Sequence, residues 1–331
     1  MSFGSPKPKT ETLTGLLDAV RSESNNTLKS NFSVTIRASL ELMRPANIVT
    51  AFADVLAGAA AAVGTMMVFD GTGFLTQTSL YWLIISTFGL YGGGIVFNDV
   101  FDAELDKKER PERAIPSGRI SKPYASILGI LLFSVGIISA FWVNTTAGLL
   151  AIGITLGALV YDSLAKHHIV FGPLVMGSCR GGNLLLGATL IPASLFYLWP
   201  LAFIPIVYIA SITLISQGEV HGGSKSAGIL ATILVGLVTG VLLLLSILDE
   251  YALETALPFA ILFGVVVLPA FVAAASDPAA GKIKKAVKRG VISLIILNSA
   301  LAAGFTGLIT GLIVLALLPL SFLFSKVFAV T

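Results

Sequence analysis

Apolar runs of about twenty residues recur along this chain from residue 47 onward, and they limit what it can fold into more than any other feature. A helix needs about 20 predominantly apolar residues to cross a bilayer, and in hydrocarbon every backbone N–H and C=O must find a partner inside the structure. Runs of this kind lie at roughly 47–68, 80–98, 122–143, 146–161, 169–191, 197–216, 226–248, 255–275 and 288–324. The last is long enough to break near "GFTG", Gly304 to Gly307. The pattern predicts an all-α integral membrane protein of about nine transmembrane helices, or ten if the last run divides. Composition agrees: 55% of the 331 residues are hydrophobic and 12% are charged, against roughly 25% charged in a soluble domain. Mean hydropathy is +0.91.

Lys and Arg set the expected orientation, because cytoplasmic loops carry the positive excess. Arg37 and Arg44 precede the first run. The loops after runs two, four, six and eight hold Lys107, Lys108, Arg110, Arg113 and Arg119, then Lys166, then Lys225, then Lys282, Lys284, Lys285, Lys288 and Arg289. The opposite loops have no Lys or Arg, and "DEYALE", Asp249 to Glu254, is acidic. A cytoplasmic N-terminus follows. Because the basic residues sit in short loops between apolar runs and the net charge is only +3, membrane topology accounts for them and no nucleic-acid partner is implied. Residues 1–38 read as a polar cytoplasmic extension without an apolar signal core, ahead of a membrane domain over 39–331. Within the extension, "TLTGLLDAV" reads either as a short amphipathic surface helix or as disordered chain. The single cysteine, Cys179, excludes an internal disulfide and reads as packing.

One stretch resists a purely topological reading. "FNDVFDAELDKKERPERAIPSGR", Phe97 to Arg119, opens with four carboxylates and an amide, Asn98 to Asp106, where a long apolar helix ends. A cytoplasmic flank needs only the basic residues. Asn98, Asp102 and Asp106 are spaced i, i+4, i+8, with Asp99 three before Asp102, so in a helix they share a face. Like charges stacked in this way repel, and the C-terminal end of a helix dipole disfavours anions. Both penalties call for a compensating cation. Hard oxygen ligands select Mg²⁺, which binds through a few carboxylates together with substrate phosphate oxygens. Asn98, Asp99, Asp102 and Asp106 are therefore candidate metal ligands for an amphiphilic diphosphate whose tail enters the bilayer. Asp102 and Asp106 are the candidate catalytic pair.

These residues resemble the first N-D-x-x-D-x-x-x-D motif of the UbiA superfamily of intramembrane prenyltransferases. "RPERAIPSGRIS", Arg110 to Ser121, looks like the loop that follows that motif, and "LMRPANIVTAFADVLAG", Leu42 to Gly58, like the opening of the family's first helix. The resemblance runs from about Glu41 to the last apolar run. It implies a helical bundle around a central cavity open to the membrane, an active site on the cytoplasmic side, and Mg²⁺-dependent prenyl transfer from an isoprenyl diphosphate of geranylgeranyl or farnesyl type. "SQGEVHGGSK" and "CRGGNLLLGA" look most like the UbiA-like proteins of bacterial and algal ebo gene clusters, which implies a small hydroxylated acceptor such as a cyclitol. An aromatic acceptor, a terpene cyclase of the same fold and a non-catalytic carrier of a lipid-linked metabolite are the competing readings.

Departure of a diphosphate builds negative charge on its oxygens, which pre-placed cations stabilise. Arg113, Arg119, Lys166 and Lys225 are the candidates, although each also satisfies the positive-inside rule. The resemblance favours Arg113 and Lys166, the latter shortly after Tyr161, a candidate cavity residue. The family's second acidic motif corresponds to "SQGEVHGGSKSAG", Ser216 to Gly228, where Ser216 and Gly223 stand in place of acids and only Glu219 remains. Glu219 is expected either to hold a metal ion or to act on the acceptor. His221, with an ordinary pKa near 6.5, reads as a general base or as a solvated loop histidine. Asp54 and Arg180 fall at membrane depth, where ionisable groups face the bundle interior and pair. Arg180, flanked by glycines, is assigned to packing or to substrate contact, and Asn47 to acceptor contact or to the helix start. Asn298 stays unassigned.

Overall fold

The computed structural model describes residues 34–67, 72–166, 168–219 and 221–328, and within these no strand occurs. The stretch "TLTGLLDAV" lies outside the described residues. Residues 34–43, which straddle the expected boundary at residue 38, form a helix whose Ala38 and Leu42 are buried against Val96, Val100 and Ile120. The helices that follow are α1 Pro45–Met66, α2 Thr78–Glu109, α3 Lys122–Val143, α4 Thr145–Val160, α5 Phe171–Ala188, α6 Phe203–Ser216, α7 Lys225–Leu244, α8 Leu253–Ser276, α9 Ala280–Thr306, α10 Leu308–Leu315 and α11 Leu317–Val327. A π-helical segment, Tyr161–Ala165, prolongs α4. Short helical turns from Pro192 lead into α6.

Among the described residues nine helices are long and apolar enough to cross a membrane. They are not the same nine that the apolar runs give. Helix α5 carries Arg180 and Asn183 in its middle and is not one of them. The last run supplies two instead of one, because Gly307, at φ 93°, separates Ala280–Thr306 from Leu308–Val327. Glycine is the residue that adopts this backbone without a Cβ penalty. The chain returns there toward its starting end, where Ser321 donates to the Ala46 carbonyl at 3.1 Å.

Helices α1 and α9 form the enclosed centre, with most of their length buried, while α3, α4 and α7 turn wide apolar faces outward, as lipid-facing helices do. Between helices in a bilayer the hydrophobic effect supplies little drive, so close van der Waals packing at small residues does the work. The α1–α5 seam is built in this way. A Cβ placed on Gly58 would sit 1.9 Å from the Leu184 carbonyl oxygen, and one on Gly187 would sit 2.1 Å from that of Val55. Nothing larger than hydrogen fits at either position.

That close approach puts a polar knot at membrane depth. Arg180 Nη1 donates to Asp54 Oδ2 at 2.7 Å and Nη2 to Thr50 Oγ1 at 2.5 Å. Asn183 Nδ2 reaches both the Ala51 carbonyl (2.9 Å) and Asp54 Oδ2 (3.2 Å), while Asn298 Nδ2 donates to Asp54 Oδ1 at 2.7 Å. Thr87 Oγ1 closes the set on Asn183 Oδ1 at 2.8 Å. Three helices, α1, α5 and α9, are joined through one carboxylate, and α2 is attached to it by way of Asn183. The expected pairing of Asp54 with Arg180 is present, and Asn298, unassigned from sequence, is one of its partners. The glycines beside Arg180 serve packing: Gly177 meets the Ile206 backbone of α6, Gly181 the Ala202 carbonyl just before α6 and the Ile206 side chain, and Gly182 meets Ile154 of α4.

Two outcomes follow. Gly187→Leu forces the α1–α5 seam apart and lowers thermal stability in detergent by about 1–3 kcal/mol or more; Gly236→Ala, which faces open space, stays within about 0.5 kcal/mol of the parent. Asp54→Leu strands the Arg180 guanidinium and costs about 3–5 kcal/mol, read from the same melts.

Candidate active site

The acidic face of α2 is continuous helix, not a helix end. Because α2 runs on to Glu109, Asn98, Asp99 and Asp102 lie well before its last turn, and the dipole penalty expected from sequence applies at most to Asp106, since that effect fades beyond the final turn. Lys107 and Lys108 close the helix with the favourable sign. The compensating cations are side chains of the protein itself. Asp99 Oδ1 receives Arg44 Nη2 at 2.6 Å and Arg113 Nη1 at 3.4 Å, and Arg113 Nη1 also donates to Asp106 Oδ2 at 2.7 Å. Lys166 pairs with Asp102. Asn98 Nδ2 donates to Asp162 Oδ1 at 2.7 Å, a carboxylate that the sequence analysis did not single out.

Local structure delivers each base. Arg44 stands immediately before Pro45 with φ 47°, a left-handed backbone rare for a non-glycine residue, and its side chain is drawn onto Asp99. The loop after α2 is pinned by buried Ala114 and Ile120, joined by the Ile120 N to Ala114 O bond of 3.1 Å, which fixes Arg113 between them and the helix. At the end of α4 the wide π turn, closed by the Lys166 N to Tyr161 O bond of 2.9 Å, brings Tyr161 and Lys166 to the same side as Asp102. Such turns are frequent at functional sites.

These groups open onto three adjoining cavities. The carboxylate chamber, about 490 Å³, is lined by Asn98, Asp102, Asp106, Arg113, Tyr161, Lys166 and Glu219. An apolar chamber of about 220 Å³ lies deeper, between Leu90, Tyr91, Ile154, Ala158, Met176 and Cys179. Asn98 and Tyr161 stand at the border of these two, and Arg180 rests 4.8 Å from the Tyr91 ring on the apolar side. A third cavity, about 500 Å³, is lined by Glu41, Arg44, Asp99, Arg110, Arg119, Glu219 and Lys284. Arg44 borders all three.

Several expected residues stand elsewhere. His221 and Lys225 are exposed and line none of these cavities: the loop turns through Gly222 at φ 88° and is tied by Gly223 N to the Pro278 carbonyl at 3.0 Å, which tucks Glu219 inward and leaves His221 outside. Asp54 is sealed in the polar knot and lines no cavity, whereas Asn47 and Arg180 do face the apolar chamber. Arg119 is held by Glu41 and borders the third cavity, away from Asp102. Glu219 borders both polar cavities. Burial raises its carboxyl pKa above the ordinary range, opposed by the nearby charges of Arg110, Lys284, Arg44 and Arg113. Missed from sequence were Arg44, Arg110 and Lys284 as site residues. All three had been absorbed into the topology signal, and their partners lie too far along the chain for spacing to reveal them.

Among the described residues no three His, Cys, Asp or Glu side chains are drawn together tightly enough to form a metal cage by themselves. The donor chemistry nevertheless suits a hard divalent ion that brings phosphate oxygens with it. The carboxylate chamber sets carboxylate and amide oxygens beside basic groups, with Leu105, Met176, Ile212 and Val287 also on its walls, and Glu219 Oε1 is buried at its edge with no hydrogen-bond partner.

Comparison with known proteins gives a consistent picture. The sequence pattern of the UbiA prenyltransferase family matches residues 57–276. Digeranylgeranylglyceryl phosphate synthase of Methanosarcina mazei is 34% identical over 171 residues, covering 48% of this chain and 56% of that protein. The enzyme of the same name from Thermococcus kodakarensis is 33% identical over 152 residues, covering 46% and 52%. The chain thus spans little more than half the length of the curated relatives it matches. A solved structure of digeranylgeranylglyceryl phosphate synthase in membranes shares the fold, with TM-score 0.59, 21% identity, and 82% and 99% of the two chains covered. So does a UbiA homologue from Archaeoglobus fulgidus bound to GPP and Mg²⁺, with TM-score 0.57, 12% identity, and 80% and 99% covered. From residue 57 to residue 276 the sequence carries the family's pattern on the family's fold, and the chain belongs to the UbiA prenyltransferase family.

Proposed function

We propose that this chain is a Mg²⁺-dependent intramembrane prenyltransferase that ionises an isoprenyl diphosphate at the cytoplasmic face and passes the prenyl group to a small hydroxylated acceptor. The observation that carries this reading is the direct junction of the carboxylate chamber with the apolar one across Asn98 and Tyr161. An amphiphile with a doubly charged head and a branched hydrocarbon tail fits such a junction, head among the charges and tail below. Orientation follows the positive-inside rule, since the basic loops all lie at the site's end of the bundle.

In the reaction the C1–O bond of the donor breaks and its electron pair leaves with diphosphate. The allylic carbon then bonds to the acceptor oxygen, whose proton passes to the departing diphosphate. Asn98, Asp99, Asp102, Asp106 and Glu219 are the residues that would hold Mg²⁺, which when bound offsets the charge of the departing diphosphate. Arg113 and Lys166, already placed beside Asp106 and Asp102, add fixed positive charge where the negative charge develops. The apolar walls exclude water from the allylic cation. A small hydroxylated acceptor is supported from two sides. The stretches around Arg180 and Glu219 suggest a cyclitol, and the relatives are named for digeranylgeranylglyceryl phosphate, itself derived from a polyol.

Purified protein in detergent, given Mg²⁺ and allylic diphosphates of several lengths, is expected to release pyrophosphate and form a product whose mass is the sum of prenyl and acceptor, with polyols outperforming phenols. A cyclic hydrocarbon made without acceptor would reassign the chain as a cyclase, and donor binding without pyrophosphate release as a carrier. Chelation by EDTA is expected to stop turnover, with recovery on adding Mg²⁺. Asp102→Ala should cut kcat by at least about 10²-fold, by analogy with loss of a transition-state charge contact, while the protein remains folded in the membrane.

A further inference from the structure

The π-helical segment after α4 meets the acidic face of α2 at two points. Lys166 pairs with Asp102. Four residues before Lys166, Asp162 accepts from Asn98, which itself stands four residues before Asp102. The two contacts are successive rungs between the same two segments, and they differ in kind. One joins opposite charges, whereas the other joins a carboxylate to a neutral amide. Asp162 is only 4% exposed, and burial of a carboxylate is costly unless a charged partner or several donors offset it. Lys166, the basic residue of its own segment, is engaged by Asp102 instead. Holding α2 to this segment does not require a charge at residue 162, so the acid there has another reason.

We propose that Asp162 is a positioning residue for the metal site: it fixes which way the Asn98 amide points. This rests on the Mg²⁺ reading above, in which Asn98 is a ligand. An amide is ambiguous in that role. Its oxygen suits Mg²⁺, while its NH₂ group only donates and would oppose the ion. The two ends belong to one planar group, and a half-turn about the Cβ–Cγ bond exchanges them. That torsion is broad and roughly two-fold, so the side chain alone selects neither end. A carboxylate beside it does select, because it accepts hydrogen bonds and therefore takes the nitrogen. The placement agrees with this role. Of the two chambers Asp162 lines only the apolar one, whereas Asn98 lines both. With Nδ2 drawn to Asp162 at 2.7 Å, Oδ1 is left on the branch toward the carboxylate chamber, beside Asp102. Asp162 stands outside that chamber and acts through Asn98, as groups behind metal ligands commonly do.

The test is Mn²⁺ binding to monodisperse full-length protein in detergent, read from the electron paramagnetic resonance of the free ion, with Mn²⁺ standing for Mg²⁺ at an oxygen-ligand site. Saturating geranylgeranyl thiolodiphosphate, a donor analogue that resists ionisation, is present throughout, so turnover does not enter the measurement. Asp162→Asn keeps the shape but can offer Asn98 either an oxygen or an NH₂ group, and Asp162→Ser is one bond too short to reach it. Each is expected to weaken Mn²⁺ binding by about tenfold, the lower end for loss of a group that orients a ligand. Asn98→Ala should weaken it at least as much. Adding Asp162→Asn to Asn98→Ala should then change it by less than about twofold, because a residue that acts through its neighbour has no further effect once the neighbour is gone. An equal loss in both backgrounds would overturn the proposal by making Asp162 a distant charge or a packing residue, and so would parent-like binding by Asp162→Asn and Asp162→Ser. A parent protein that takes up no Mn²⁺ with the analogue would instead remove the metal reading beneath it, which separates the two failures.

Discussion

An ionised side chain withdrawn from water has to meet its opposite inside the protein, and this bundle is organised around that requirement. Deep in the membrane a single carboxylate, Asp54, gathers Arg180, Asn183 and Asn298 from two other helices. At the polar end Asp99, Asp102 and Asp106 are met by Arg44, Arg113 and Lys166, which come from three separate segments. The cost of leaving one partner alone, about 3–5 kcal/mol for a buried pair, explains why the acidic face of α2 can exist on a transmembrane helix at all. It also explains why the site is pre-organised: helix positions that satisfy the charges are the ones that shape the chambers.

The two clusters differ in what surrounds them. Around Asp54 the packing is closed by glycine contacts, and every polar reach ends on another protein atom except Asn298 Oδ1 and Arg180 Nε. Around Asp102 the pairs open onto volume. Exchange of a basic partner for a cation and phosphate oxygens is feasible only in the second setting, because the displaced arginine or lysine keeps its interaction with the incoming phosphate. On the proposed reaction, charges of the same kind serve a structural end in one place and a chemical end in the other, and the free volume beside them decides which.

Much of this was legible in the sequence. Hydropathy located the spans, since a bilayer imposes length and polarity on each helix independently of the others. The i, i+4, i+8 spacing located the acidic face, because helix geometry is local. Partners were not legible. Arg44 lies 55 residues from Asp99, and Arg110 comes to Glu219 only when the loop after α6 is brought beside the end of α2. Nothing in spacing encodes such meetings. The same limit left His221 open between general base and solvated loop residue, where a positive-φ glycine turns the loop and selects Glu219 for the interior. It also misled the dipole argument, since hydropathy ends a span at the membrane surface while the helix, paired at its acidic face, continues to Glu109.

The wide turn at Tyr161–Ala165 has a mechanical corollary. An α-helix rotates by about 100° per residue, so one residue gained or lost ordinarily swings everything beyond it to another side. A π turn has absorbed such a residue already, through a bond that skips five positions instead of four. The segment between tyrosine and lysine therefore behaves as an expansion joint: its length is free to differ by one between homologous chains while the membrane portion of the helix keeps its register and the ammonium keeps its aim.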